Sequence, residues 1–141
     1  MPISGSVKGK AAIKATLAAM PDTVRAELGE AIRVTASEVV RNAKMSVPVR
    51  TGTLRNHIKF SFSPTYARAR VGIEAGTVVI DGRPLRASYY AHMVEYGTVK
   101  MSAHPFMRPA FEGQKTPLDS RMRAAQRATI DTVTNIGSRY L

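Results

Sequence analysis

Residues 89–112, YYAHMVEYGTVKMSAHPFMRPAFE, are the segment around which the rest of the chain can be arranged. They hold five aromatic residues, two histidines, three methionines and two prolines, in a chain with few aromatic residues elsewhere. Tyr89, Met93 and Tyr96 recur at helical spacing, which predicts a short amphipathic helix. Gly97 follows directly and can take the positive φ with which many helices end, so we expect the helix to stop there.

The second half of this segment predicts a rigid elbow. Pro105 and Pro109 fix φ, remove two N–H donors and restrict the residues before them. Residues 104–111 are therefore not expected to form a regular helix or a central strand. Phe106 and Phe111 are large apolar side chains that require burial, and we predict that they hold the central helix against a sheet.

The other large side chains of the helix divide between two expected roles. Tyr89 and Met93 are predicted to join the core with the two phenylalanines. Tyr90 and Tyr96 are the better candidates for an interface, because tyrosine can bury its ring and keep its hydroxyl in water.

Helices are predicted before this segment. Residues 1–7 are small and expected to be flexible. A helical pattern begins at Lys8, and Asp22 suits the N-cap of a second helix that runs to about Lys44. Pro48 then ends it, because the residue before a proline is disfavoured in helical geometry.

A turn is predicted at Thr51-Gly52-Thr53, where the glycine supplies the strained backbone angle. Arg50 and Arg55 flank this turn. Two interpretations stay open for them, a contact with a partner or simple solvation beside a helix-to-strand turn.

A small antiparallel sheet is predicted next. Residues 57–62 and 67–73 alternate apolar and polar side chains, which is typical of a hairpin with one apolar face. Its outer face carries Lys59, Arg68 and Arg70. This basic surface could touch phosphate, although a solvated sheet face is the commoner outcome.

Residues 75–88 are predicted to form a projecting loop or hairpin. Thr77–Ile80 can be a third strand, and the turn signal Asp81-Gly82-Arg83-Pro84 follows it. Loops of this length are often functional or disordered.

A C-terminal helix is predicted to begin with Thr116 at the N-cap and Pro117 at its first position, and to end at Gly137. Arg121 is expected to lie mainly outside. The length of 141 residues is typical of one domain. The predicted architecture is thus a single α+β domain over residues 1–141, with N-terminal helices, a small antiparallel β-sheet, a short central helix, and a C-terminal helix packed on the sheet.

Charge is the strongest signal in the composition. The net charge is +11 and the calculated pI is about 10.6, which indicates an anionic partner, either nucleic acid or an acidic protein surface, or else a generally basic soluble surface. The chain has no cysteine, which excludes a disulfide framework and a thiolate metal site. We also expect neither a signal peptide nor a membrane span, since no apolar run approaches about 20 residues.

Catalytic chemistry is not indicated. A metal site on His92, Glu95 and His104 is the sharpest chemical hypothesis, but no HExxH motif or paired carboxylate supports it. No serine stands in a nucleophile elbow. We therefore expect no enzyme, no metal and no cofactor.

Three sequence blocks resemble a known family. They are PVRTGTLR at residues 48–55, YAHMVEYGT at residues 90–98 and HPFMRPA at residues 104–110. Their order and spacing are similar to those of the tail-completion, or tail-terminator, proteins of long-tailed bacteriophages and prophages. The resemblance extends over about residues 10–135.

The resemblance implies a structural virion protein that forms a hexameric ring at the head-proximal end of the tail tube, ends the tail and joins it to the head. Implied partners are like copies, the tail-tube protein and a head-closure or neck protein, with DNA passing through the channel without specific binding. The implied location is the tail or neck of the virion, after assembly in the host cytoplasm. The residues expected at assembly interfaces are Arg50, Arg55, Arg68, Arg70, Arg83, Tyr90, Glu95, Tyr96 and Arg108. Those expected to shape the motifs are Pro48, Thr51, Gly52, Gly97, Pro105, Phe106 and Pro109.

Two other functions stay open. A head-closure or other neck ring would share the size and basic composition of this chain. A nucleic-acid-binding protein would account for the charge, although no helix-turn-helix, zinc finger or RNA-binding sheet motif is readable.

Overall fold

The computed structural model describes residues 22–48 and 52–139. The predictions for residues 1–21, which include the flexible start and the first helix, lie outside this range. Arg50 and Thr51 also lie outside it. Every structural statement below concerns the described residues.

Five α-helices, one short 3-10 helix (Pro64–Tyr66) and four strands make up the described fold. In chain order the α-helices and strands are α1 (Asp22–Ser46), α2 (Thr53–His57), β1 (Ile58–Ser63), β2 (Arg68–Ile73), β3 (Thr77–Ile80), β4 (Arg83–Arg86), α3 (Ala87–Tyr96), α4 (Met107–Glu112) and α5 (Lys115–Arg139). β1 pairs with β2 and β3 pairs with β4, both antiparallel, in two separate two-stranded sheets. The predicted α+β class is confirmed.

Helix α1 is the long central support. Leu28, Val39 and Ala43 share one buried face, as their helical spacing predicts. Gly29 on the same helix lets strand β1 come close, since a Cβ at Gly29 would lie 3.2 Å from the ring of Phe62. The absence of a side chain at this position therefore sets how closely helix and sheet approach.

The β1–β2 hairpin has the predicted alternation. Ile58, Phe60 and Phe62 stand opposite Ile73, Val71 and Ala69, and this side of the hairpin faces the core. His57 was predicted as the first residue of the strand, which is wrong, because it ends helix α2. Gly52 starts that helix at φ 72°, and its carbonyl accepts a bond from Asn56 N–H at 3.2 Å, so a helical turn forms before the strand.

The bounds of helix α5 differ from the prediction. It begins at Lys115, so Thr116 is not its N-cap. Pro117 is tolerated because the first-turn N–H groups of a helix have no intrahelical acceptor. The helix also continues past Gly137 to Arg139, because a glycine only weakens a helix and need not end it.

Helix α5 packs mainly along α1, and it approaches the sheet at a groove beside β2. Arg121, which was expected outside, is half-buried between these two helices. Its guanidinium donates to Thr35 Oγ1 at 2.9 Å and to Gln114 Oε1 at 3.3 Å. That prediction is wrong because a long arginine stem can lie along an apolar surface while its head finds polar partners.

The main core joins segments that are far apart in sequence. Val39 and Ala43 come from α1, Ile58 from β1, Val94 from α3, and Phe106 from the segment after it. The residues 89–112 thus supply one side of the core, and the N-terminal half supplies the other. No helix in the described ranges combines the length and the apolar character needed to cross a membrane.

Candidate assembly site

A sharp reversal of the chain follows helix α3. Gly97 closes the helix at φ 76° and ψ 173°, and its N–H donates to Met93 O at 2.8 Å. Thr98 and Met101 then exchange two backbone hydrogen bonds, so Val99 and Lys100 form the tip of a tight turn. His104 N–H returns to Val94 O at 2.8 Å. We call residues 95–108, which form this reversal, the corner.

Glu95 holds the two sides of the corner together. Its Oε2 accepts hydrogen bonds from the backbone N–H groups of Phe106 at 2.8 Å and Met107 at 3.0 Å, and its Oε1 accepts one from Arg108 at 3.0 Å. These N–H groups belong to the start of helix α4 and have no partner within it. The carboxylate therefore caps a helix that lies more than ten residues further along the chain.

The elbow was predicted to contain no regular helix, and this is wrong for α4, Met107–Glu112. Pro109 is the third residue of α4, in the first turn, where the missing N–H costs no hydrogen bond. Proline also has a φ that suits a helix. The two prolines restrict the entry to α4 without preventing it.

The charge of Glu95 is stabilised in the folded chain. Burial on its own would raise the pKa of Glu95. The three backbone N–H groups and the positive charge of Arg108 outweigh that effect, and the pKa lies below its ordinary value of 4.5. Glu95 therefore contributes stability above that pH, and the contribution is lost as the pH falls through its lowered pKa.

We expect Glu95→Gln to lower the free energy of unfolding at neutral pH by about 1.5–3 kcal/mol, the usual worth of hydrogen bonding to a charged group. The glutamine NH2 would also face N–H donors where a carboxylate oxygen now accepts. Urea unfolding of both chains at neutral pH and at a pH below the lowered pKa of Glu95 measures the loss. The difference should shrink in acid, where Glu95 becomes neutral too.

Glu30→Gln is the matched control, because Glu30 is exposed and, within the described ranges, its carboxylate bonds to Arg33 of the same helix. Glu30→Gln should lower the free energy of unfolding much less than Glu95→Gln does, since solvent screens an exposed ion pair. If the loss for Glu95→Gln were as small as the control or equally large in acid, the charged cap would not be what stabilises the corner.

Helix α3 buries a different face from the predicted one. Ala87, Ala91 and Val94 point into the core. Tyr89 is 59% exposed, so its predicted place in the core is wrong. The helical period is right, but the stripe of small residues is the one that lets α3 approach the core closely.

The remaining aromatic residues also differ in exposure. Tyr90 is half-buried against the core, whereas Tyr96 is 60% exposed. Phe111 was predicted in the core and is 45% exposed, because α4 turns it towards the groove beside β2. Val99, at the tip of the corner, is fully exposed. The corner thus presents large apolar and aromatic side chains to solvent.

The other predicted site residues lie in separate places. Three exposed residues lie at or next to the corner, namely Pro105, Arg108 and Pro109. The corner also contains Glu95, Gly97 and the fully buried Phe106. Arg68 and Arg70 are exposed on β2, and Arg83 on β4. Pro48 and Arg55 are exposed near the start of α2, where Gly52 has positive φ. The structure therefore brings together the corner residues but not the full predicted set.

The metal hypothesis has no geometric support in the described ranges. No group of three His, Asp or Glu residues there is arranged to hold a metal ion. Both oxygens of Glu95 accept backbone hydrogen bonds, and the ring of His92 lies 4.7 Å from that of Tyr96.

An open apolar groove was not anticipated from the sequence. It measures about 430 Å³ and lies between α1, β2 and the start of α5. Its lining includes Ile32, Val39, Val71, Phe111 and Leu118. Periodicity identified most of these as inward-facing but could not show that the packing leaves space between them.

One family model matches the chain. Residues 11–97, more than half of the 141, match the family described as "Bacteriophage HK97-gp10, putative tail-component". The match includes the first two sequence blocks up to Gly97 and ends before the third. No curated protein and no solved structure matches the chain.

Proposed function

The chain belongs to the HK97-gp10-like family of bacteriophage tail components, and from this premise we propose that it forms a hexameric ring that ends the tail tube and joins it to the head. The family match is the observation that carries the proposal. Like copies, the tail-tube protein and a head-closure or neck protein are the proposed partners, and the proposed place of assembly is the host cytoplasm. The chain acts in this proposal as a structural subunit and not as an enzyme.

Unpaired strand edges support a role in assembly. Each described sheet has only two strands, so both strands of each pair leave one edge without a described strand partner. Two-stranded sheets are marginal by themselves and commonly gain strands or cover. The β3–β4 hairpin also shows an apolar side chain to solvent, since Val79 is 55% exposed. A neighbouring copy can cover such an edge by strand addition.

The corner supplies a second and different surface. Tyr96 and Val99 are exposed there, and aromatic residues are enriched at protein interfaces. A closed ring requires two unlike patches on each subunit, because each copy contacts one neighbour with one patch and the other neighbour with the second. We assign the β3–β4 hairpin and the corner to these two patches.

The proposal is tested in the phage that encodes the chain, by a nonsense mutation in its gene. We expect tails of uncontrolled length and few joined particles, because nothing would cap tube growth. Electron microscopy of the lysate measures the tail-length distribution and the fraction of heads with tails. Supplying the wild-type chain from a plasmid should restore both.

Two outcomes would contradict tail termination. Joined particles with tails of normal length would exclude an essential role at the joint. Tails of normal length that stay separate from heads would exclude control of tail length and favour a head-closure or other neck ring.

A further inference from the structure

The outer face of the β1–β2 hairpin has a repeated arrangement of side chains. In the antiparallel register, Ser63 stands opposite Arg68, Ser61 opposite Arg70, and Lys59 opposite Gly72. Each of these three cross-strand pairs has one cation and one small residue. We call this set the basic face.

The cations of the basic face form no ion pair in the described ranges. Lys59, Arg68 and Arg70 are all exposed. No aspartate or glutamate occurs in residues 39–73. Their positive charge is therefore available to an external partner.

The face is also open to a bulky partner. A Cβ added at Gly72 would meet nothing within 4 Å. Ser61, Ser63, Arg68 and Arg70 line a shallow depression of about 220 Å³, together with Phe62 and Tyr66. Successive pairs are two residues apart, so the three cations span about 14 Å, over which one DNA strand presents about four phosphates.

We infer that the basic face contacts the phosphate backbone of double-stranded DNA. The inference rests on the proposed function, in which a ring of this chain surrounds the DNA in transit, and it assigns the channel-lining surface to β1 and β2. Arginine, lysine and serine side chains are the groups that bind phosphate oxygens without reading sequence. Contacts of this kind let DNA move along the surface.

The composition of the face favours DNA over an acidic protein. Protein interfaces are depleted in lysine and serine, and they are enriched in arginine and aromatic residues. Lys59, Ser61 and Ser63 depart from that composition, whereas Arg68 and Arg70 suit either kind of partner. The corner, with Tyr96 and Val99, has the character of a protein contact. Protein–DNA interfaces are more polar and more positively charged, as this face is.

The test measures DNA affinity against salt concentration for the purified chain and the double variant Arg68→Gln/Arg70→Gln. Fluorescence anisotropy with a labelled duplex of mixed sequence gives the slope of log K against log salt. Removing two phosphate contacts should reduce the size of that slope by about 1.8, because each contact contributes about 0.9.

The control is Arg123→Gln/Arg127→Gln, which removes the same formal charge from an exposed part of α5, where Arg123 pairs with Asp119 at 3.0 Å. The slope of log K against log salt for this control should equal that of the unmodified chain. If both double variants reduced the slope equally, the total charge and not the basic face would bind DNA. An unchanged slope for Arg68→Gln/Arg70→Gln, with loss of assembly into particles, would assign the face to a protein partner and overturn the inference.

The outcome is independent of the test of the proposed function. Anisotropy reports on the face of the isolated chain, whereas microscopy of the lysate reports on the tail joint. Suppose that the nonsense mutation gives tails of uncontrolled length, as expected, but that Arg68→Gln/Arg70→Gln does not change DNA binding. This result would reject the DNA face alone. A reduced slope with normal tails in the absence of the chain would reject the tail-joint role alone.

Discussion

Phe106→Ala is expected to lower the free energy of unfolding by about 3–5 kcal/mol, the usual loss for a large aromatic residue in a core. Phe106 has no exposed surface and contacts residues from the main core. Its backbone N–H also donates to Glu95 Oε2 at 2.8 Å, so the cavity that Phe106→Ala leaves would lie within the corner. Urea unfolding followed by circular dichroism measures the loss.

Phe111→Ala is the matched control for this substitution. The same atoms are removed five residues later, but Phe111 is 45% exposed at the edge of the groove. Its loss should be well under half of that for Phe106→Ala. Equal losses would show that the ring of Phe106 does not hold the core together.

Gly97→Ala is expected to have the next largest effect. Gly97 has φ 76° and ψ 173°, a region that only glycine occupies readily, and placing another residue there costs on the order of 1–3 kcal/mol. A Cβ would also lie 2.8 Å from Ala103 N and 2.9 Å from Met101 O, which are backbone atoms that cannot turn away. We expect a loss above the strain term alone, and thermal unfolding at neutral pH measures it.

Gly82→Ala separates backbone strain from the clash. Gly82 also has φ 76°, but a Cβ there would meet nothing within 4 Å. Gly82→Ala should lower the free energy of unfolding only by the strain of positive φ in the turn of the β3–β4 hairpin. If the two alanine variants were equally stable, the close approach at the corner would be unimportant.

Local patterns were enough to predict the regular elements. The buried positions of α1 follow from helical spacing, and the apolar face of β1 and β2 follows from alternation, because both periods are properties of the backbone itself. The end of α3 at Gly97 was also predictable, since the residue needed there must accept positive φ.

The contacts between elements were not predictable from the same patterns. Glu95 finds its N–H partners at Phe106, Met107 and Arg108, and no local rule connects a carboxylate to a helix start so far along the chain. Tyr89 was assigned to the core because large residues dominate a hydrophobic pattern, whereas close packing of α3 selects the stripe with Ala87 and Ala91. Pattern gives the period of a helix but not the identity of its neighbour.

Strand β2 carries two unlike surfaces on its two sides. Ala69 and Val71 border the apolar groove, which Arg70 also touches, whereas Arg68 and Arg70 belong to the alternate, exposed set of side chains. Side chains alternate along a strand. One residue inserted or deleted in the short connection Pro64–Tyr66 would therefore exchange the apolar side of β2 with its cationic side along the entire strand. We therefore expect related chains to keep a fixed residue count in the Pro64–Tyr66 connection.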